Sequence, residues 1–547
     1  MAQTTLHRRD PAMPLRERSL RRDVGLVGLL FTSVGSIIGS GWLFGSLFAA
    51  QQAGPAALIS WGIAGLAVIL LALIYAEMGG MFPVAGGTAR FPHYAFGSLA
   101  GFTAGWFAWL GAVTIAPIEV EAAIQYATNY IHGLAHTIGP EGKVVVLSPK
   151  GYVVAAVLML IFTVINLIGV RHMASTNVAA VWWKIAVPVL TVIVLLAVGF
   201  HTGNFAAGGG FSPAGAKGVL QAITAGGVIF ALLGFEQAVQ LGGEGRNPQR
   251  NVPVAVIGSI LIGTALYILL QLAFLGALAP SAIAHGWSNV NFKGAFGPFA
   301  GLANNLGLGW LAVLLYIDAV ISPAGTGLIY AGTSSRLSYA LGRNGYIPSQ
   351  FELLSRRGVP WFSIVFSFIV GMLLFLPFPG WQTLVTFITS ATALTYAAAP
   401  LAFGALRRQQ PDRARPYRLP GGRFWAPVGF VVANLIVYWS GWTTNWKLFL
   451  AVLLGFVLLG ISYATKANQE RPPLDWRASL WLWPYLGGMA LISYLGQFDG
   501  RSLIPFWWDM VVVAAFSLVI YAIAMRVRLT PERVRQYVGE VERQHSD

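Results

Sequence analysis

Five ionisable residues of this chain stand out well inside long apolar runs, away from the ends. They are Glu119 and Glu121 in Pro117-Ile118-Glu119-Val120-Glu121, Lys184 after Trp182-Trp183, Glu236 in Gly234-Phe235-Glu236-Gln237, and Asp318. An acid at the centre of a lipid-spanning helix costs roughly 3 kcal/mol, so such a residue usually faces a polar interior and handles protons, ions or substrate. Glu119 and Glu121 are two residues apart, and on a helix they point in nearly opposite directions. One of the two is expected to line a cavity, where it can pair with a cationic substrate or with Lys184, and the other to bond neighbouring helices. Asp318 precedes Ile321-Ser322-Pro323-Ala324-Gly325-Thr326, which reads as a helix break beside a coupling acid. Glu236 reads either as a proton carrier or as a structural, hydrogen-bonded acid. Lys184 lies eight residues past Thr176, about 12 Å from the near end of its run, so it either reaches the interface or stays inside.

Two glycine-rich segments supply a different chemistry. Gly35-Ser36-Ile37-Ile38-Gly39-Ser40-Gly41 holds three glycines and two serines, all poor helix formers. Unwound backbone at membrane depth is tolerated only where it lines a cavity or is buried in protein. A helix restarting near Gly41 would aim free N–H groups and a positive dipole end at an anion. The alternative is close helix packing, since Gly35 and Gly39 form a GxxxG pair, as do Gly41 and Gly45. The second segment runs from Gly226-Gly227 through Phe230-Ala231-Leu232-Leu233-Gly234. Amide donors from one break and carbonyl acceptors from the other suit a zwitterionic α-amino acid.

The elements that would carry these residues follow from composition. Apolar types make up 56% of the 547 residues and charged types only 10%, against about a quarter in soluble domains. A spanning helix needs ~20 mostly apolar residues. Fourteen candidate spans appear, at 24–50, 54–78, 98–130, 151–170, 176–200, 219–242, 252–279, 300–330, 361–378, 381–404, 425–442, 447–465, 478–496 and 506–525. The breaks fall in the first and sixth, the corresponding positions of a five-plus-five inverted repeat. With the N-terminus placed inside, cytoplasmic segments hold 28 of the 35 Lys and Arg residues, external ones six, and Lys184 stays within a span. This asymmetry predicts a multi-pass plasma-membrane protein of the bacterial inner-membrane type, with both termini cytoplasmic. The expected organisation is an N-terminal tail (1–23), a ten-helix transport core (24–405), four additional helices (406–525) and a C-terminal tail (526–547).

The same features weigh against other classes. The net charge of +15 is mainly an orientation signal, with no clustered basic face for nucleic acid. No Gly-x-x-x-x-Gly-Lys-Ser/Thr motif points to ATP. With no cysteine, and with His93, His172 and His201 at loops or span ends, neither a metal site nor a cofactor is expected. No nucleophile–base pair suggests an enzyme. A channel would repeat a filter between subunits, and a membrane sensor of transporter type would carry a large soluble domain.

Four ordered motifs resemble the amino acid–polyamine–organocation superfamily of permeases. They are Gly35 through Leu43, Pro83-Val84-Ala85-Gly86-Gly87, Glu244 through Pro253, and Arg336 through Pro348. The resemblance covers roughly residues 20–405, and the fourteen-helix length is similar to a branch that includes aspartate–proton symporters. It implies an all-α, LeuT-like fold with discontinuous helices 1 and 6. Amides around Gly39, Ser40 and Gly41 would bind a substrate carboxylate. Carbonyls of Ile37, Phe230 and Leu233, beside Gly234, would accept from its ammonium, with Phe230 as an aromatic cover. Glu236 sits where some exchangers of this superfamily keep a proton-linked glutamate. Lys184 would replace the sodium that related carriers bind between helices 1 and 8, gaining and losing a proton. Ser322 is a candidate contact of its ammonium from its place after Asp318, which the resemblance does not itself assign. The expected function is proton-coupled import of an amino acid or related amine, with exchange as the alternative.

Overall fold

The computed structural model describes residues 24–84, 87–138, 144–168, 173–292, 297–376, 380–468 and 471–546. The N-terminal tail, Ala85-Gly86, Lys143, His172 and Lys293 lie outside them. The chain forms α1 (Leu26–Ile37), α2 (Gly41–Ala53), α3 (Ala57–Met81), α4 (Gly87–Phe96) and α5 (Ser98–Ala127). A hairpin of β1 (Ala135–Ile138) and β2 (Val144–Leu147) leads to α6 (Pro149–Ile168) and α7 (Met173–Val198). Then come α8 (Gly215–Thr224), α9 (Val228–Ala231), α10 (Gln237–Gln240), α11 (Pro248–Ala277), α12 (Pro298–Asn305) and α13 (Gly309–Arg343). The remainder is α14 (Trp361–Leu374), α15 (Trp381–Gln409), α16 (Gly422–Trp439), α17 (Trp442–Ala464), α18 (Leu482–Leu495), α19 (Phe506–Val527) and α20 (Pro531–Ser546).

Each of the fourteen apolar segments contains helix. Among the described residues, nine helical stretches are long and apolar enough to cross a membrane. One of them, Gly41–Met81, has 41 residues. Straight, it would measure ~60 Å, twice the hydrocarbon thickness. It turns instead at Gly54–Ala56, where Gly54 takes a left-handed φ of 61° ahead of Pro55. The apolar windows of α5 and α15 are 89% and 100% buried, which puts these two helices at the centre. Their neighbours α13, α16 and α4 pack directly on them. Helices α6, α17 and α19 instead expose large apolar side chains, among them Val153, Leu453 and Val519. Lipid tails are the solvent such faces fit.

Within the C-terminal helices, polar side chains tie neighbours together. Asn445 accepts from Ser390 and donates to Ser493, Tyr485 donates to Asn434, and the Tyr438 hydroxyl lies 2.6 Å from the Asp509 carboxylate. In lipid such bonds add to packing where apolar burial adds little.

Three expectations are corrected, and a fourth gains detail. The fold is not purely helical: Val144-Val145-Val146-Leu147 pairs antiparallel with Ala135–Ile138, as a β-branched run prefers. The eighth span is split, because Gly307 at φ 73° ends α12 and α13 restarts at Gly309. The break expected at Ser322-Pro323-Ala324-Gly325 is absent, since α13 runs through Pro323. Finally, the C-terminal tail carries α20, which docks on α4 with the Tyr537 and His93 ring centres 4.4 Å apart.

Candidate functional site

Both glycine-rich segments are interrupted helices. α1 stops at Ile37, Ile38 has φ −88° and ψ 84°, and α2 begins at Gly41. The sixth segment is broken twice, at Gly227 (φ 79°) and at Gly234 (φ 124°). The two interruptions pack against each other. A β-carbon on Gly41 would lie 2.8 Å from the Ala231 α-carbon, and one on Gly234 would lie 2.8 Å from the Ile37 nitrogen. Ser33 locks the crossing by accepting from the Ala238 amide at 3.1 Å and donating to the Phe235 carbonyl at 3.2 Å.

A small cavity lies at this crossing. Ile37, Gly39, Gly41, Phe230 and Leu233 line it, with Glu119 on the facing side. Its volume for the centre of a water-sized sphere is 10 Å³, room for about one water. The site is therefore closed, and a ligand larger than a water enters only after the walls move apart. Ser40 is turned elsewhere: its hydroxyl accepts from the Trp381 indole at 2.9 Å, and its amide donates to Glu119 Oε2 at 2.7 Å. The Ile37 carbonyl accepts from the Tyr267 hydroxyl at 2.8 Å, and the Phe230 carbonyl from the Leu233 amide at 3.1 Å. The Phe230 ring stands edge-on to Trp381, centres 5.6 Å apart, and Trp381 also packs on Phe44 and Phe48.

Lys184, on α7, points inward. Its ammonium donates to the Gly35 carbonyl at 2.6 Å and to the Thr326 hydroxyl at 2.8 Å. Thr326 also lies 3.1 Å from the Gly35 carbonyl and 3.3 Å from that of Ile38. The ammonium thus joins the end of α1 to α13. The contact considered for Ser322 falls to Thr326, four residues further along the same helix face. Ser322 donates instead to Asp318 at 2.8 Å. Asp318 also accepts from the indoles of Trp183 (2.9 Å) and Trp42 (3.2 Å), so it fastens α7 and α2 to α13.

Glu236 lies below the cavity. It accepts from Tyr330, Tyr396 and the Gly234 amide at 3.0, 2.9 and 3.0 Å. Tyr330 and Leu233 border both the upper cavity and a second one of 30 Å³ lined by Gln237, Thr333 and Thr392. Glu121 faces away from Glu119, towards Gln125 and the backbone of Gly380. Of the residues singled out in the sequence, Ile37, Gly39, Gly41, Phe230, Leu233 and Glu119 meet at the cavity, and Lys184 is one residue layer behind it. Glu121 and Asp318 do not reach it. Sequence reasoning missed Thr326, Trp381, Tyr330 and Tyr267. A threonine and three aromatics in apolar helices carry no charge or motif to mark them.

A polytopic helical membrane protein with crossed, interrupted helices around a closed polar cavity is built like a carrier. The chain belongs to the amino acid permease family, whose model matches residues 24–473. It is 40% identical to the glutamate/serine transporter AimA of Bacillus subtilis, over 93% of this chain and 94% of that one. It is 35% identical to the aspartate-proton symporter of the same organism, over 92% and 96%. Identity to the branched-chain amino acid permease BcaP is 26%, over 81% and 93%. These relatives are transporters and not enzymes.

Proposed function

We propose that this protein imports a small amino acid, with L-glutamate, L-aspartate and L-serine as first candidates, by proton symport through alternating access. The carrying observation is Lys184. A buried ammonium spans the end of α1 and the middle of α13, 2.6 Å and 2.8 Å from its two acceptors. A lysine there supplies one removable positive charge, so a proton can do the work of a bound cation. With the proton on, the charge holds the interrupted helix against α13. With it off, that tie weakens and the two elements can separate. The relatives that act on glutamate, serine and aspartate supply the substrate candidates.

In this reading the first ten spanning segments form a five-plus-five inverted repeat of LeuT type, and α16 to α19 complete fourteen crossings. Both termini face the cytoplasm of a bacterial-type plasma membrane, a placement that the arginine and lysine distribution supports. The carboxylate of the substrate takes amides at the α1–α2 break and its ammonium takes carbonyls of Ile37, Phe230 and Leu233. Phe230 and Trp381 close above it. Glu236, held by two tyrosines, keeps the cytoplasmic floor shut.

The test is uptake into proteoliposomes. Labelled L-glutamate, L-aspartate and L-serine are offered with and without an inward proton gradient. Accumulation that a protonophore abolishes, and that Lys184→Gln loses, is the expected result. Uptake that needs internal amino acid and ignores the gradient would make the protein an exchanger.

A further inference from the structure

The amide expected to hold a substrate carboxylate already holds a carboxylate of the protein. Glu119 Oε2 lies 2.7 Å from the Ser40 nitrogen, at the foot of α2. This is a full hydrogen bond at the α1–α2 break, where the N-terminus of the restarting helix offers donors to an anion. The approach is possible only because residue 39 is glycine: a β-carbon there would lie 2.5 Å from Glu119 Oε1 and 2.9 Å from the Thr326 hydroxyl. Glu119 is 1% exposed, it lines the cavity, and its Oε1 has no hydrogen-bond partner. A buried acceptor left unpaired costs free energy. The seat is therefore occupied but incompletely satisfied, and a ligand that pairs more of its atoms can take it.

We propose that Glu119 is a built-in competitor for the substrate carboxylate. In the empty carrier it fills the anion position at the α1–α2 break, and it must swing out before an amino acid can settle there. The inference rests on the substrate pose given above. Two carboxylates cannot share the Ser40 amide, because like charges at contact distance in a buried site repel strongly. Binding is thus an exchange of one carboxylate for another. Glu119 sets the threshold affinity a substrate must exceed, and keeps the empty site closed.

Purified protein in detergent allows a test that needs no knowledge of the substrate. Glu119→Ala should leave the Ser40 amide bare beside a hole the size of a small carboxylate. Sodium acetate should then raise the melting temperature of this variant by a few degrees, while isosteric acetamide and sodium chloride do not and the wild type is indifferent. A cooperatively melting Glu119→Ala protein with no acetate-specific shift would overturn the proposal. If that variant does not fold, Glu119→Gln decides. A neutral amide is the weaker competitor, so a stabilising amino acid should bind it about tenfold more tightly than wild type. Equal or weaker binding would overturn the idea and assign Glu119 to the substrate ammonium or to structure. If no amino acid stabilises any form, the substrate reading fails, while the acetate result still judges the competitor.

Discussion

Gly234 lies so close to Ile37 that a β-carbon on it would come within 2.8 Å of the Ile37 nitrogen and of the Ser36 carbonyl carbon. Two interrupted helices thus touch backbone to backbone, and each interruption keeps the other in place. Gly234 also has φ 124°, a conformation side chains rarely adopt. Gly234→Ala therefore combines backbone strain with overlap against main chain that cannot yield, at about 2–4 kcal/mol. A melting curve should show a fall of several degrees, and substrate binding should be lost with it.

Thr326 gives the Lys184 ammonium one of its two hydrogen bonds. Thr326→Val keeps the volume but removes that acceptor and should cost roughly 1.5–3 kcal/mol, the worth of a bond to a charged group. Proton-driven accumulation should drop at least tenfold in proteoliposomes. Thr326→Ser retains the hydroxyl and should restore most of it.

Tyr330 and Tyr396 each donate to Glu236. Removing either hydroxyl leaves a buried carboxylate short of a donor, at about 1.5–3 kcal/mol. Tyr330→Phe also loosens the wall between the two cavities. It should raise the rate of substrate leak down its gradient, while Tyr396→Phe should lower stability with less effect on leak.

Trp381 donates to Ser40, stacks on Phe48, lies tilted against Phe44 and backs the Phe230 ring that lines the cavity. Trp381→Phe keeps much of the apolar cover and loses the bond to the α1–α2 break. Substrate affinity should fall about three- to tenfold, the worth of one neutral hydrogen bond. Titration of purified protein would show whether it does.

His93 accepts or donates at the Tyr346 hydroxyl, 2.8 Å from its Nδ1, under α20. Burial first, and then Arg90 and Arg533, disfavour its charged form and push it down from 6.5 to about 3. The unfolded chain takes a proton near 6.5 and the folded chain does not. Stability is therefore fully present above that value and falls as the pH drops from 6.5 towards 3. Melting temperatures measured from neutral pH down to about 5 should decline, and His93→Gln should flatten that slope.

Much of the site was legible in the residues. Gly35 through Gly41 mark a break because glycine and serine weaken a helix that lipid would otherwise enforce. Glu119, Lys184 and Glu236 stand out because a charge in an apolar run needs a reason. Their partners were not legible. Ser322 and Thr326 sit one turn apart on the same face of α13, and only the depth at which α1 ends selects Thr326. Trp381 reads as one more tryptophan near a span end until Ser40 is seen beneath it. Pro323 looks like a breaker, yet α13 passes through it unbroken.

The sequence by itself determined the solvent, the number of apolar segments and the two glycine-rich segments in which helix gives way at the site. Those properties come from local composition, and lipid enforces them segment by segment. Which polar groups meet was decided only by tertiary structure. Glu119 is separated from the Ser40 amide by 79 positions and Lys184 from the Gly35 carbonyl by 149, and no local preference spans such distances. The packing of α5, α7 and α13 around the crossed breaks brought them within hydrogen-bond reach.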